Sequence, residues 1–390
     1  LITLTFHKLM TKIRNSRFAV SMIFAINGAL FGTWASRIPA ISNIHDLSPA
    51  SLGLLIFLAG LSAVVAFSIF GRAADHYGAA FVTKLASSIF LPLTLIFIAY
   101  ANSIWMLIAA IIFFGGIHGG IDVAMNAWAA EVERKNERPL MSSFHAMWSL
   151  GSGIGAGSGV LLATYSLGVK THFTISSIVI FLAALSILTI PFQSEKRQRD
   201  KNVPFISIPR GPLLTVAFIT FFASLGEGAI ADWSAIFLIS VASIDEGSAA
   251  LGYTAFAICM FTMRLMGDKI VSVVGPSKTA RYSGLVAMIG SIILVTFESL
   301  LPLVIGCGLI GLGIAVIIPL AFSRAANDKN IPQGTAIASI ATLGYGGMLI
   351  GPLFIGFIAQ ATSIKTSFLI FPILAFLIFA LSKHLSLKSL

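Results

Sequence analysis

The sequence predicts an all-α membrane protein: twelve transmembrane helices in two pseudo-symmetric six-helix bundles. Three observations predict it. The composition is too apolar for water, twelve apolar runs have spanning length, and the second half of the chain repeats the first. Of 390 residues, 57% are hydrophobic and only 10% are charged. A soluble domain carries about 25% charged residues. This chain cannot cover itself with polar surface, so its solvent is mostly lipid. The formal net charge of +10 would point to nucleic acid in a soluble protein. Here the basic residues sit in short loops between apolar runs, which is the pattern of membrane topology, and no nucleic-acid partner is implied.

A spanning helix needs about 20 mostly apolar residues. Runs of that kind cover 17–39, 51–71, 81–100, 104–130, 141–164 and 168–191, then 211–240, 250–266, 279–298, 301–324, 333–360 and 365–386. Lys12, Arg14 and Arg17 before the first run resemble a signal peptide. The run is long enough to span, so it reads as an uncleaved first helix. Gln193 to Lys201 is the only long polar stretch. It divides the chain into an N-terminal six-helix bundle (1–192), a cytoplasmic linker (193–210) and a C-terminal six-helix bundle (211–390). With the N-terminus inside, every Lys and Arg but Arg37, Lys170 and Lys365 falls on the cytoplasmic side. That asymmetry puts both termini in the cytoplasm. A shift of 193 lays Leu150-Gly151 on Leu343-Gly344, and a shift of 199 lays Trp34 on Trp233. Carriers that work by alternating access are built from such repeats, with the substrate near the bilayer midplane.

The most informative stretch runs from Gly115 to Gly159. His118, Asp122 and Asn126 are spaced four apart, so on a helix they form one stripe. His145 and Trp148 follow in the next span. Ionisable groups inside a spanning segment are expensive and mark function by default. Glu227 sits near the middle of span seven and Asp122 in the cytoplasmic half of span four. A desolvated carboxylate can load and release protons near neutrality. Glu227 and Asp122 are therefore the candidate proton-coupling groups, with His118 or His145 as relay. The competing reading is a paired group that fixes helix packing, and for the two histidines packing is the simpler reading.

Arg37 and Asp232 fall at the outer ends of repeat-equivalent spans and are expected to pair as an outer gate. Alternatively Arg37 binds an anionic substrate, since a guanidinium matches carboxylate and phosphate. Asn27, Asn126, Trp34, Trp148 and Trp233 suit a sugar- or polyol-like ligand through ring stacking and paired hydrogen bonds. A tryptophan at a helix end is otherwise an interface anchor. Gly151 to Ala156 matches a dinucleotide pattern but lies inside a span with no preceding strand, and no P-loop follows, so no nucleotide cofactor is implied. Cys259 and Cys307 lie in apolar runs, with neither disulfide nor metal spacing. His118, Asp122 and His145 could be drawn as a metal site, but a catalytic cluster at this depth is the weakest reading. No cofactor, no metal and no enzyme activity are expected.

Gly71-Arg72-Ala73-Ala74-Asp75-His76-Tyr77-Gly78 lies between spans two and three, and Arg264-Leu265-Met266-Gly267-Asp268, with Gly275 beyond, lies in the equivalent place of the second half. The chain resembles the major facilitator superfamily in this loop signature, in both halves, and in its twelve spans and central linker. Met263 stands where that pattern has glycine, and the basic residues after Gly78 are reduced to Lys84. The resemblance implies that Arg72, Asp75, Arg264 and Asp268 close the cytoplasmic side as a gate. Phe144 to Gly151, Glu227 to Ser234, Gly344-Tyr345-Gly346 and Gly351-Pro352 look like a poorly characterised branch of bacterial inner-membrane permeases, distantly similar to fucose–proton symporters. The distant relatives couple sugar uptake to protons through membrane carboxylates, so the resemblance implies proton coupling in the inner membrane but names no substrate; a monomer moving a sugar-like solute or a small anion is the expectation. The alternative is an exporter or antiporter of a drug, metabolite or siderophore. Exporters of the superfamily often carry Gly-Pro late in span five, and Leu161 to Thr164 has no proline.

Overall fold

The computed structural model describes residues 2–136, 140–194, 209–328 and 333–386. Of the expected linker 193–210, residues 195–208 lie outside that set. Among the described residues there is no strand. Helix α1 (Ile2–Ser36) is separated from the short α2 (Ile38–Ile44) at Arg37. Next come α3 (Pro49–Tyr77), α4 (Ala79–Ala99), α5 (Ile104–Asn136), α6 (Met141–Thr164) and α7 (Val169–Leu188). The second half holds α8 (Pro212–Ala242), α9 (Glu246–Val274), α10 (Pro276–Thr296), α11 (Leu300–Ile314) and α12 (Ile317–Ala326). It ends with α13 (Gln333–Ala361), α14 (Ile364–Phe368), α15 (Ile370–Leu381) and a 3-10 turn, Ser382–Leu385.

Twelve helical stretches among the described residues are long and apolar enough to cross a bilayer. The predicted all-α membrane fold is therefore the fold observed. Lipid offers no partner to backbone N–H or C=O groups, so each crossing must satisfy its own as a helix. Apolar side chains need not face inward there. Val65, Leu182 and Phe376 are all more than half exposed, as lipid-facing positions should be.

Helix packing groups Leu1–Trp34 with Leu58–Arg199 in one compact unit, and Ala35–Phe57 with Asp200–Leu390 in the other. The second unit thus takes in Ala35–Phe57, which the sequence reading assigned to the first half. In the first unit α1 and α6 touch backbone to backbone. A Cβ on Gly28 would strike the Trp148 carbonyl, and one on Gly151 would strike that of Ala25. Small residues permit this approach where lipid gives helices no hydrophobic reason to associate.

The repeat is sharper in the backbone than in the residues. Helices α3 and α9 each have 29 residues, and α4 and α10 each have 21. Gly78 (φ 97) and Gly275 (φ 88) form the turns between them, a conformation that glycine adopts without steric cost. All these boundaries are related by a single shift of 197, as from Pro49 to Glu246. Arg72 and Asp75 lie in the last turns of α3, and Arg264 and Asp268 lie in α9. The signature expected in loops is therefore helical, and only its closing glycine is a turn.

The α5–α6 turn and the segment after α7 are tied by side chains. The Glu133 carboxylate accepts the backbone N–H groups of Leu140 (2.6 Å) and Met141 (2.8 Å), where the α6 N-terminus favours an anion. After α7, the Lys84 ammonium donates to the Ile190 carbonyl. Lys135 donates to that of Gln193 at 3.1 Å. Phe192 packs on Trp128, with ring centroids 5.7 Å apart.

Candidate polar sites within each unit

In the first unit the close contact of α1 and α6 brings Asn27 and Trp148 together. Trp148 Nε1 donates to Asn27 Oδ1 at 2.9 Å. Asn27 is fully buried, and its Nδ2 has no hydrogen-bond partner among the described residues. From Trp148 a continuous row of rings follows. Phe31 lies 5.7 Å from Trp148 and 5.5 Å from His118. His118 stacks on Phe114 at 5.7 Å, and Phe114 meets Trp34 at 5.5 Å. His118 Nε2 is buried without a hydrogen-bond partner. The predicted residues Asn27, Trp148, His118 and Trp34 thus share one cluster. Phe31 and Phe114, which complete it, carried no polar signal for sequence reasoning to find.

One turn further along α5, Asn126 Nδ2 donates to the Asp122 backbone carbonyl at 2.8 Å and to Asp122 Oδ1 at 3.2 Å. His118, Asp122 and Asn126 lie on one helix, and Asp122 and Asn126 are bonded to each other. His145 stands edge-on to Phe24, with centroids 5.3 Å apart.

In the second unit the charges are paired differently from expectation. Arg37, only 2% exposed, meets Glu246 at 3.1 Å. The expected Arg37–Asp232 pair does not form. Asp232 is 7% exposed on α8 and has neither an ion pair nor a hydrogen bond among the described residues. The reason lies at the start of α9. Asp245 caps that helix, accepting the Ser248 N–H at 2.9 Å and the Ser248 hydroxyl at 2.7 Å, so the helix begins at Glu246 and presents its carboxylate to Arg37. Sequence reasoning started this span at residue 250. An Asp three residues before a Ser, ahead of an apolar run, was the available signal.

Glu227 does not stand alone either. Its Oε1 lies 3.4 Å from Arg264 Nη2, with both side chains about nine-tenths buried. Arg264 was expected in a loop. It lies inside α9, ten residues before that helix ends at Val274, and faces Glu227 from there. Trp233 is fully buried with Nε1 unpartnered, and a Cβ on Gly356 of α13 would lie 3.3 Å from its ring. It is a packed core residue rather than a helix-end anchor. Arg72 donates to the Ser68 carbonyl at 3.1 Å within its own helix. Asp268 is exposed, and neither it nor Asp75 makes an ion pair among the described residues. Among the described residues no three His, Cys, Asp or Glu side chains cluster as metal ligands would.

A model of the family described as "Major Facilitator Superfamily" matches residues 18–345. An uncharacterised transporter of Sinorhizobium fredii is 40% identical over 359 residues, covering 92% of this chain and 95% of its own. An uncharacterised MFS-type transporter of Yersinia pestis is 34% identical, covering 89% of this chain and 90% of its own. Among solved structures, a nucleoside transporter, NupG, superposes with a TM-score of 0.73 at 15% identity, covering 95% of this chain and 99% of its own. A bacterial homologue of the human lysosomal transporter Spinster gives 0.72 at 14% identity, covering 96% of this chain and 97% of its own.

Proposed function

Since the chain belongs to the major facilitator superfamily, we propose that it is a secondary active transporter that carries a small polar solute by alternating access in symport with protons. It works as a monomer in the bacterial inner membrane, with both termini cytoplasmic. The observation that carries the solute reading is the Asn27–Trp148 cluster. A bonded Asn–Trp pair beside a row of rings, with the Asn27 amide still able to donate, suits a hydroxylated ring such as a sugar or polyol. Arg37 keeps a small anion within the same class. Asn126, held by Asp122, extends the polar wall along α5.

The coupling reading rests on carboxyl groups inside spanning helices. Asp122 serves in the first unit, with His118 and His145 as relay. In the second unit α8 offers two carboxyls, Glu227 and Asp232. The helical signature residues Arg72, Asp75, Arg264 and Asp268 act at the cytoplasmic gate, and Trp233 packs in the core of the second unit.

The test has two stages. Purified protein is screened by thermal shift against sugars, polyols, small carboxylates and nucleosides. Uptake of the stabilising compound is then followed in proteoliposomes with and without an inward proton gradient, using the parent, Asp122→Asn and Glu227→Gln. The reading expects gradient-driven accumulation in the parent and its loss in Asp122→Asn. Accumulation that ignores the gradient would end the symport proposal.

A further inference from the structure

Two carboxyl groups lie on α8, five residues apart, so they point to different faces of the helix. We infer that Asp232, not Glu227, is the α8 carboxyl that takes up and releases the transported proton; this rests on the proton-coupled reading above.

Glu227 is committed. Its carboxylate faces Arg264 at 3.4 Å with both groups buried. It is one half of a buried ion pair, and breaking such a pair is strongly unfavourable. Asp232 is under no such constraint. It is 7% exposed and makes no ion pair or hydrogen bond among the described residues.

The cations on the elements packed against α8 are engaged elsewhere or stand in the open. Arg37, at the start of α2, is held by Glu246 of α9. Arg264 of α9 is held by Glu227, and Arg324 of α12 by Asp328 at 3.1 Å. Lys365 of α14 meets Glu298 at 2.6 Å. Lys269 of α9 and Lys383 of the closing 3-10 turn are exposed, and His384 of that turn contacts the Leu381 carbonyl at 3.1 Å. The other titratable groups on these helices are Tyr253, Cys259 and the exposed Asp268 of α9, Cys307 of α11 and Tyr345 of α13, and none of them is a cation. Among the described residues an ionised Asp232 would therefore have no counter-charge, in a medium that penalises it. As the neutral acid it fits where it stands.

The step is one proton. Asp232 takes it from water on one side and returns it to water on the other, and no ion pair breaks.

The test needs no solute. Full-length protein in detergent is treated with N,N′-dicyclohexylcarbodiimide, which attacks protonated carboxyls in apolar surroundings, over a series of pH values. Adducts are then mapped by mass spectrometry. The expected result is an adduct at Asp232 whose yield falls as pH rises, absent from Asp232→Asn, with Glu227 unmodified. An adduct on Glu227 alone, an Asp232 adduct indifferent to pH, or no adduct on α8 at any pH would overturn the inference. A carrier that ignores a proton gradient yet labels at Asp232 fails the earlier reading. One that follows the gradient but labels only at Glu227 fails this one.

Discussion

Trp148 Nε1 donates to Asn27 Oδ1 at 2.9 Å, a bond that exists only because α1 and α6 touch along Gly28 and Gly151. The bond uses the amide oxygen and leaves Nδ2 as a buried donor. Trp148→Phe keeps a ring for stacking but removes the N–H. A hydrogen bond of this kind contributes about 1 kcal/mol, and the freed Asn27 amide would also lose its orientation. Solute affinity, read by titration of the purified variant, should fall about tenfold, which corresponds to about 1.4 kcal/mol. Unchanged affinity would remove this pair from the binding wall.

Gly28→Val tests the helix contact beneath that pair. Any Cβ at this position meets the Trp148 carbonyl, and backbone cannot swing away as a side chain can. Overpacking costs about 1–3 kcal/mol or more, so the variant should elute as aggregate or melt well below the parent in detergent. Gly168→Val is the control, since a Cβ there meets nothing within 4 Å, and it should behave as the parent does. Equal behaviour of the two variants would show that the contact is not tight in solution.

Glu227→Gln and Arg264→Met each break a buried ion pair. The loss of one partner strands the other, at a cost of about 3–5 kcal/mol. Replacing both with apolar residues of similar size should recover most of that loss, because the desolvation of both charges disappears together. A double-mutant cycle by thermal unfolding measures the coupling. Additive losses would mean that the two side chains do not interact.

The spans were legible because lipid leaves little choice. Residues 141–164 were read as one span and form one helix with the same ends. The ends of α9 were not legible, since hydropathy fails at both. Asp245 and Glu246 are polar, but Asp245 caps the helix and Glu246 is its first residue. Arg264 looks like a loop residue, but the backbone ladder carries on to Val274, where Gly275 turns the chain. The true course of α9 decides the electrostatics, because its four extra residues at the start put Glu246 beside Arg37 and its unbroken helix puts Arg264 beside Glu227. Sequence equivalence between the halves matched Arg37 to Asp232 by position along the helices. It could not see which cation each carboxylate would meet across a helix face.

The Asp245 cap gives a pH signature outside the membrane. Its bonds to the Ser248 hydroxyl and N–H hold its carboxyl below the usual carboxylate range. The folded value is lower than the unfolded one, so the contribution is fully present above the ordinary value of about 3.9 and disappears as pH falls through the depressed folded value. The group is exposed to solvent, so Asp245→Ala should cost no more than about 1 kcal/mol at neutral pH. Thermal unfolding of parent and variant should therefore differ at neutral pH and converge in acid. The helix start matters beyond its own stability, because fraying at Asp245 would release Glu246 from Arg37. Asp245→Ala should then weaken transport more than its stability loss explains, whereas Asp245→Asn, which keeps a capping oxygen, should not. Equal transport in the two variants would separate the cap from the ion pair that it positions.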